Sequence, residues 1–282
     1  MKEKAKIPKL GFIGFGEAGS NLATGFREEG IVDIFAYDIC QLREDDCIKV
    51  KERAKKANTQ LVNNPKELAE KADIIISAVV CSETIIAAES IAPYLKEKHL
   101  YADINAAAPE TKIEVEKIIK PYKAKFVDVA VMGPIPNHKH KVPIMLSGEG
   151  ANEFYEEMNK FNMKLDFVEG GAGAASSVKM LRSVFMKGMA ALLIEMMTSA
   201  YLFDSHKTVI KTIEKTLENN APSELVHRLI SGTAIHARRR VHEMDEVIKT
   251  VESVNMKPLM SRATRDTLNW VESMGLKEVF KG

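Results

Sequence analysis

The chain has 282 residues, 45% of them hydrophobic and 28% charged, ordinary proportions for a globular protein with room for about two domains and a large core. Forty basic residues stand against 39 acidic ones, so no strong overall field attracts nucleic acid. Three cysteines, Cys40, Cys47 and Cys81, cannot all pair, which disfavours a disulfide framework and points to the reducing cytoplasm.

No apolar run reaches the roughly 18–20 residues of a membrane helix, so no membrane partner is expected. The lysines before residue 10 resemble the start of a signal peptide, but the apolar patch at 10–15 is broken by glycines and runs into a helix pattern, which argues against one. Short apolar runs at 9–14, 33–37, 73–80, 100–103 and 126–131 alternate with helix-like segments at 18–29, 65–71, 83–95 and 109–120. This alternation predicts a mostly parallel, doubly wound α/β sheet with helices on both faces, a Rossmann domain. Runs at 142–147 and 165–168 add strands around a helix at 151–161, and a glycine-rich hinge follows at 169–173.

From Ala174 the period changes. Residues 174–203 contain no proline and one glycine, Gly188, and predict one helix roughly 45 Å long. It is apolar on more than one face through Val178, Leu181, Phe185, Met189, Leu192, Leu193 and Met196, so it should be buried on most sides. One small helical domain covers such a helix poorly, and a second subunit is expected to help, giving a homodimer. Segments 206–217, 223–237, 242–255 and 257–274 read as further helices. The expected organisation is a dinucleotide-binding domain over 1–170 and an all-α domain over 171–282.

The first strand runs into Gly14, Phe15, Gly16, Glu17, Ala18 and Gly19, the spacing G-x-G-x-x-G. Placed between a strand and a helix, with an acidic residue closing the second strand, it predicts a dinucleotide site. Gly14 allows the tight turn, Gly16 lets backbone approach a pyrophosphate, and Gly19 lets helix and strand pack closely. The helix N-terminus adds unpaired N–H groups and partial positive charge. Asp38 would accept hydrogen bonds from both ribose hydroxyls and repel a 2′-phosphate, favouring NAD over NADP. Arg43 is the nearest cation and sits too far along to be an obvious phosphate partner. The plainer alternative is a tight turn without a ligand.

A nicotinamide enzyme needs an acid/base group beside the reacting carbon. Lys179 is the candidate: small residues from Gly171 to Ser177 precede it and leave room for a substrate. A lysine on an apolar helix near a cleft loses solvation, its pKa falls toward neutral, and it then suits proton transfer. Ser183 lies one turn on, on the same predicted face, and Lys187 continues the row. The plainer alternative is a lysine whose amine reaches out to water.

Four stretches in order, Gly11 to Gly19, Asp103 to Pro109, Asp128 to Pro134 and Gly171 to Ser183, resemble the β-hydroxyacid dehydrogenase superfamily, which includes 3-hydroxyisobutyrate and 6-phosphogluconate dehydrogenases. The C-terminal part, with Glu195 and the run His236 to Arg240, resembles a bacterial and archaeal 6-phosphogluconate-dehydrogenase-like branch with mostly unassigned substrates. The resemblance implies a Rossmann domain, an all-helical second domain, a dimer built on the long helix and a catalytic lysine at Lys179. It places Val79, Val80 and Asn105 on the nicotinamide side, and Asn105, Met132, Gly133 and Ser183 around the substrate. Three positions depart from the superfamily's habit: Met132-Gly133-Pro134 stands for Ser-Gly-Gly, Ser183 for an asparagine, and Ala106 for a hydroxyl-bearing residue. A lost partner in a buried site costs about 1–3 kcal/mol, so a different substrate or anchor is expected.

Weaker signals remain. His138 and His140 in a basic loop lack a third ligand, so no metal is expected; the loop is read instead as a mobile cover over the active site, with His138 a candidate for an anionic substrate. Arg238, Arg239 and Arg240 suit a carboxylate or phosphate, but Glu243 and Glu246 are within helical reach, and surface ion pairs are the preferred reading. Cys81 follows the 79–80 segment and reads as a small filler near the cofactor. The chain is therefore expected to be an NAD-dependent oxidoreductase acting on a small anionic β-hydroxy acid, sugar-derived and phosphorylated acids among the candidates, with optional decarboxylation. The alternatives are an imine or keto reductase on the same fold and a non-catalytic NAD(H) sensor. Related imine reductases tend to replace the lysine, which favours alcohol chemistry here.

Overall fold

The computed structural model describes residues 7–42, 44–276 and 279; Arg43 lies outside them. The chain divides into one compact unit ending at Arg182 and another beginning at Ser183.

The first unit is built on β1 (Leu10–Ile13), α1 (Glu17–Glu28), β2 (Ile34–Tyr37), α2 (Glu44–Lys56), β3 (Gln60–Leu61), α3 (Pro65–Lys71), β4 (Ile74–Ser77), α4 (Thr84–Ile91), β5 (Leu100–Asp103), α5 (Pro109–Ile119), β6 (Lys125–Val131), α6 (Ile135–His138), β7 (Pro143–Ser147), α7 (Ala151–Met158) and β8 (Lys164–Phe167), followed by the start of α8 (Ala174–Leu202). The eight strands form one sheet in the order β3-β2-β1-β4-β5-β6-β7-β8. All neighbours run parallel except β6 and β7, which are antiparallel.

Strand pleating puts alternate side chains on opposite faces, and both faces are buried. Phe12, Ile74, Ile76, Ala102 and Val127 join Leu22 and Phe26 of α1 and Phe154 of α7 in one core. Ile13, Ile75, Tyr101 and Phe126 join Leu68 of α3, Ile91 of α4 and Val115 of α5 in the other. Parallel strands covered on both sides read as continuous apolar runs, which is why Ile74–Ser77 has no polar alternation. The strand is shorter than the apolar run over 73–80: Ala78 N–H still bonds Ile13 O, but the Val79 N–H turns to the Asn105 side chain.

In the second unit the rest of α8 is followed by α9 (His206–Glu218), α10 (Pro222–Glu252) and α11 (Leu259–Ser273). The two helices expected at 223–237 and 242–255 run together within α10 across a break at His236. The gap at 238–241 is helical, and the irregularity in α10 is a kink at His236 (φ −117°, ψ 19°). Helices α10 and α11 pack along one another. Helix α8 does not bury its apolar surface within the chain: Val184, Phe185 and Ile194 are 72%, 59% and 68% exposed.

Candidate active site

The parallel strands deliver their following loops to one edge of the sheet. Strand order reverses between β1 and β4, the position at which open α/β sheets bind ligands. There a cleft of about 570 Å³ is lined by Gly14, Gly16, Glu17 and Ala18 after β1, Asp38 after β2, and Val79 and Val80 after β4. Small-molecule clefts span roughly 300–1,000 Å³. Sequence reasoning missed the cleft's outer walls: Lys49, Val50 and Arg53 from α2, Glu83 just before α4, and Ile86, Ala87 and Ser90 from α4.

The glycines behave differently. Gly14 adopts φ +85°, and a Cβ there would stand 2.5 Å from Ala78 O. A Cβ on Gly19 would stand 2.9 Å from Gly14 O, so its absence lets α1 lie against the turn. Gly16 has nothing within 4 Å of a Cβ position, and it caps α1 without a side chain. It therefore leaves open backbone and free helix N–H groups on the cleft, a cradle that fits a pyrophosphate. Phe15 contributes backbone only; its ring is buried edge-on to Phe12. Asp38 Oδ2 accepts the Phe15 N–H at 2.7 Å and Oδ1 accepts the Cys40 N–H at 2.8 Å. Each carboxylate oxygen has a second lone pair, so Asp38 fixes the glycine turn and keeps capacity for ribose hydroxyls.

Beside the cleft lies a row of polar side chains at one level of the sheet. Ser77, Asp103, Asp128 and Ser147 are direct neighbours across β4, β5, β6 and β7, and all four are buried. At one end Asn105 donates through Nδ2 to Ser77 Oγ (2.9 Å), donates its backbone N–H to Asp103 Oδ1 (2.8 Å) and accepts the Val79 N–H at Oδ1 (2.7 Å). At the other end Asp128 accepts the N–H of Gly173 (3.1 Å), the N–H of Ser176 (2.9 Å) and the Ser176 hydroxyl (2.6 Å). Ser147 Oγ accepts the Ala175 N–H at 2.9 Å. These are the orphan donors of a helix start, and a carboxylate there also matches the helix dipole. The last residue of the segment expected as a hinge is held closely: a Cβ on Gly173 (φ +91°) would stand 2.9 Å from Pro109 O.

Lys112 covers the middle of the row. It is fully buried, donates to Asp103 O at 2.9 Å, and stands 2.9 Å from Asp103 Oδ1 and 3.7 Å from Asp128 Oδ1. Burial pushes the Asp103 carboxyl above the usual range, with the Lys112 charge the largest opposing influence. Sequence reasoning did not single out Lys112, although the signal was present: it lies with Val115 and Ile119 on the buried stripe of α5.

Lys179 is half-buried, one turn beyond Ser176 in the first unit. Met132 and Gly133 follow β6; the Met132 N–H bonds Pro143 O, and a Cβ on Gly133 would meet Val142 at 3.2 Å. Ser183 opens the second unit.

The basic loop is not a cover over this edge. Residues 135–141 fold into α6 and a 3-10 turn and dock on the far end of α1, roughly 15 Å along the helix from the glycine turn. His140 packs on the Phe26 ring, its ring nitrogen 2.1 Å from where a Gly25 Cβ would be, and Lys141 pairs with Glu29 at 2.7 Å. His138 is exposed. Among the described residues no group of three or more His, Cys, Asp or Glu side chains is placed to hold a metal ion. In the second unit Arg239 pairs with Glu243, as expected, whereas Glu246 pairs with Lys249, Arg238 approaches Glu272 at 3.9 Å, and Arg240 donates to Thr233 Oγ1 at 2.6 Å. Cys81 is exposed, while Cys40 lines the cleft.

Residues 9–163, over half the chain, match the NAD binding domain of 6-phosphogluconate dehydrogenase, and residues 203–271 match a domain of unknown function, DUF1932. The first unit is thus an NAD-binding Rossmann domain. Among curated relatives, an uncharacterized 28.5 kDa protein of Methanothermus fervidus is 32% identical over 94% of this chain and 99% of its own. The mitochondrial 3-hydroxyisobutyrate dehydrogenase of mouse is 29% identical over 66% of this chain, which spans 56% of that relative. A solved structure of a conserved protein of unknown function, described as similar to 3-hydroxyacid dehydrogenases, is 29% identical over 95% of this chain and 98% of that one, with a TM-score of 0.62. A variant imine reductase of Myxococcus stipitatus in complex with NAD+ shares the fold at 16% identity (TM-score 0.75, covering 95% and 94%), as does an imine reductase of the same organism in complex with NADP+ (16%, TM-score 0.76, covering 95% and 95%). The chain belongs to the β-hydroxyacid dehydrogenase superfamily, a family of oxidoreductases. No helix among the described residues is long and apolar enough to cross a membrane.

Proposed function

We propose that the protein is an NAD-dependent dehydrogenase of small anionic β-hydroxy acids. The observation that carries this reading is the buried row: it ties Asn105, under the cleft's Val79, to the helix start that bears Lys179. Bound in the cleft, a nicotinamide nucleotide would supply the hydride acceptor. Gly14, Gly16 and the α1 N-terminus hold its pyrophosphate, Asp38 takes the ribose hydroxyls and disfavours a 2′-phosphate, and Asn105 orients the nicotinamide side. Lys179 Nζ accepts the substrate's hydroxyl proton as the carbon gives up hydride. When the product is a β-keto acid, the same ammonium polarises its carbonyl for loss of carbon dioxide. Met132 and Pro134, Ser183 and Ala106 stand where the superfamily usually has other groups around the substrate, which supports a substrate other than the superfamily's usual ones.

The test is a screen of purified protein with NAD or NADP and a panel of hydroxy acids, read at the reduced nicotinamide absorbance. Turnover with NAD is expected, at least about 100-fold lower in Lys179→Ala, the size of a general-base contribution. Turnover that survives in Lys179→Ala overturns the role given to the lysine. NADH binding without turnover on any hydroxy acid, but with reduction of cyclic imines, moves the reading to the reductase alternative. Binding with neither activity favours the sensor.

The second unit is read as a dimerisation domain. Its support is the exposed apolar surface of α8 with Val226, Leu229 and Ile230 of α10, larger than isolated surface residues account for. Light scattering should give twice the chain mass of 31.3 kDa, and Phe185→Glu should return the monomer. A monomeric parent contradicts this reading. The use of only three cysteines, an odd number that cannot all pair, supports a cytoplasmic location.

A further inference from the structure

A lysine with no exposed side-chain surface, touching no part of the cleft, is unusual enough to need a reason. Two carboxylates in neighbouring strands, Asp103 and Asp128, face it from the sheet. Each has a second task beyond that ion pair. Asp103 accepts the backbone N–H of Asn105, and Asp128 accepts two N–H groups and a hydroxyl at the start of α8. Two buried like charges side by side repel one another and carry a large desolvation cost unless a cation is shared between them. Lys112 is that cation.

We propose that Lys112 is a positioning residue for the reaction. By supplying one buried positive charge to both carboxylates, it lets Asp128 cap α8 while Asp103 anchors Asn105, so the two sides of the site are held by one row. This rests on the role given above to Asn105 and Lys179. It also explains why the sequence places a lysine on the apolar stripe of α5, where a leucine would pack without charge. A buried ion pair is often no more stabilising than well-packed apolar residues, so the row's value lies in placement.

The experiment compares Lys112→Met, Lys112→Met/Asp103→Asn, and Asp128→Asn by hydrogen exchange of the peptide spanning 173–179, with NADH binding and global unfolding measured alongside. Removing the lysine alone leaves two uncompensated carboxylates. The double variant removes one of them and leaves Asp128 its charge, while Asn at position 103 still offers Oδ1 to the Asn105 N–H. In Lys112→Met and in Asp128→Asn the 173–179 amides should exchange about tenfold faster or more, the size of one lost charge-assisted hydrogen bond. In the double variant protection should return toward the parent. Unchanged protection in Lys112→Met, or a double variant no better protected than Lys112→Met, overturns the proposal. A purely space-filling role predicts the latter, because the double variant restores charge balance and no volume. If Lys112→Met does not fold, recovery of fold and protection in the double variant supports the proposal, and failure of both overturns it.

The exchange measurement needs no cofactor or substrate. Loss of NADH binding in the parent would therefore remove the dehydrogenase reading and leave the exchange result standing. Once a substrate is known, kcat should fall in Lys112→Met and recover in the double variant.

Discussion

Gly14 and Gly16 are two residues apart and are glycines for opposite reasons. At Gly14 the chain itself forbids a side chain: φ is +85° and Ala78 O occupies the Cβ position. At Gly16 the chain leaves the position open, and only a ligand would meet a methyl group there. Gly14→Ala should therefore destabilise the fold by about 2 kcal/mol or more, from the left-handed φ and the overlap together. Gly16→Ala should leave the melting temperature within about 2 °C of the parent yet weaken NADH binding about tenfold or more, since the backbone can no longer reach the pyrophosphate. Calorimetry and fluorescence titration of the two variants check this, and an unimpaired NADH affinity in Gly16→Ala would count against the pyrophosphate site. Residue spacing alone makes these glycines and Asp38 legible. Lys112 is not legible by the same route, because its meaning comes from two carboxylates on neighbouring strands, whose register spacing does not encode.

Two helices in this chain begin on carboxylates brought from elsewhere. Neither Asp128 at α8 nor Glu195 at α11 is a local cap. Glu195 is buried, and accepts the Met260 N–H (2.6 Å), the Ser261 N–H (2.9 Å) and the Ser261 hydroxyl. Burial works against its charge, but the hydrogen bonds from Ser261 and the 259–261 backbone together outweigh it and hold the carboxyl below its ordinary value. A carboxyl depressed on folding stabilises the native state above its unfolded pKa of about 4.3 and loses that contribution as pH falls through the folded value. Glu195→Gln should cost about 1–2 kcal/mol at neutral pH and flatten the loss of stability below about pH 4.3, which thermal melts across pH 3 to 7 would detect. Element boundaries were legible where one signal was strong, as at Asn64-Pro65, where Asn64 caps α3 and Pro65 opens it. They failed where the signal was thin. Strand β3 is two residues long at the sheet edge, and α2 is mostly charged, so neither has a legible apolar period. The break expected after Ala237 falls at His236, and the gap expected at 238–241 is helical because three arginines are good helix formers. The antiparallel turn of the sheet at β7 leaves no mark in composition.

At the scale of the molecule, acid sensitivity should come from histidines far from the cleft. His99 is buried; its Nδ1 accepts the Lys96 N–H at 2.7 Å and its Nε2 lies 2.9 Å from Ala69 O, joining α3 to the start of β5. His140 is buried against α1. Burial is the main cause that pushes both imidazoles below their ordinary value, against the opposing pull of Ala69 O on His99 and of Glu29 on His140. A histidine whose folded pKa lies below its unfolded value of about 6.5 contributes in full above that value. The contribution is lost as pH falls toward the folded value, because the unfolded chain binds the proton first. Melting temperature should fall on acidification from about pH 7.5 to about pH 5.5, and a His99→Asn/His140→Gln variant should show a flatter profile. A parent protein equally stable at both pH values would contradict this assignment.

The remote caps also bear on the order in which the chain acquires its structure during synthesis. Asp128 precedes Ser176 by 48 residues, and Glu195 precedes Ser261 by 66. In both pairs the carboxylate is made first and the helix start it receives is made later. Chains emerge from the ribosome N-terminus first, and early parts fold as units. The sheet, with Asp128 and its lysine, therefore stands ready when the first turn of α8 appears, and α8 in turn presents Glu195 to α11. Each helix start is met by an acceptor already in place, which gives each unit of the growing chain a direction in which to build.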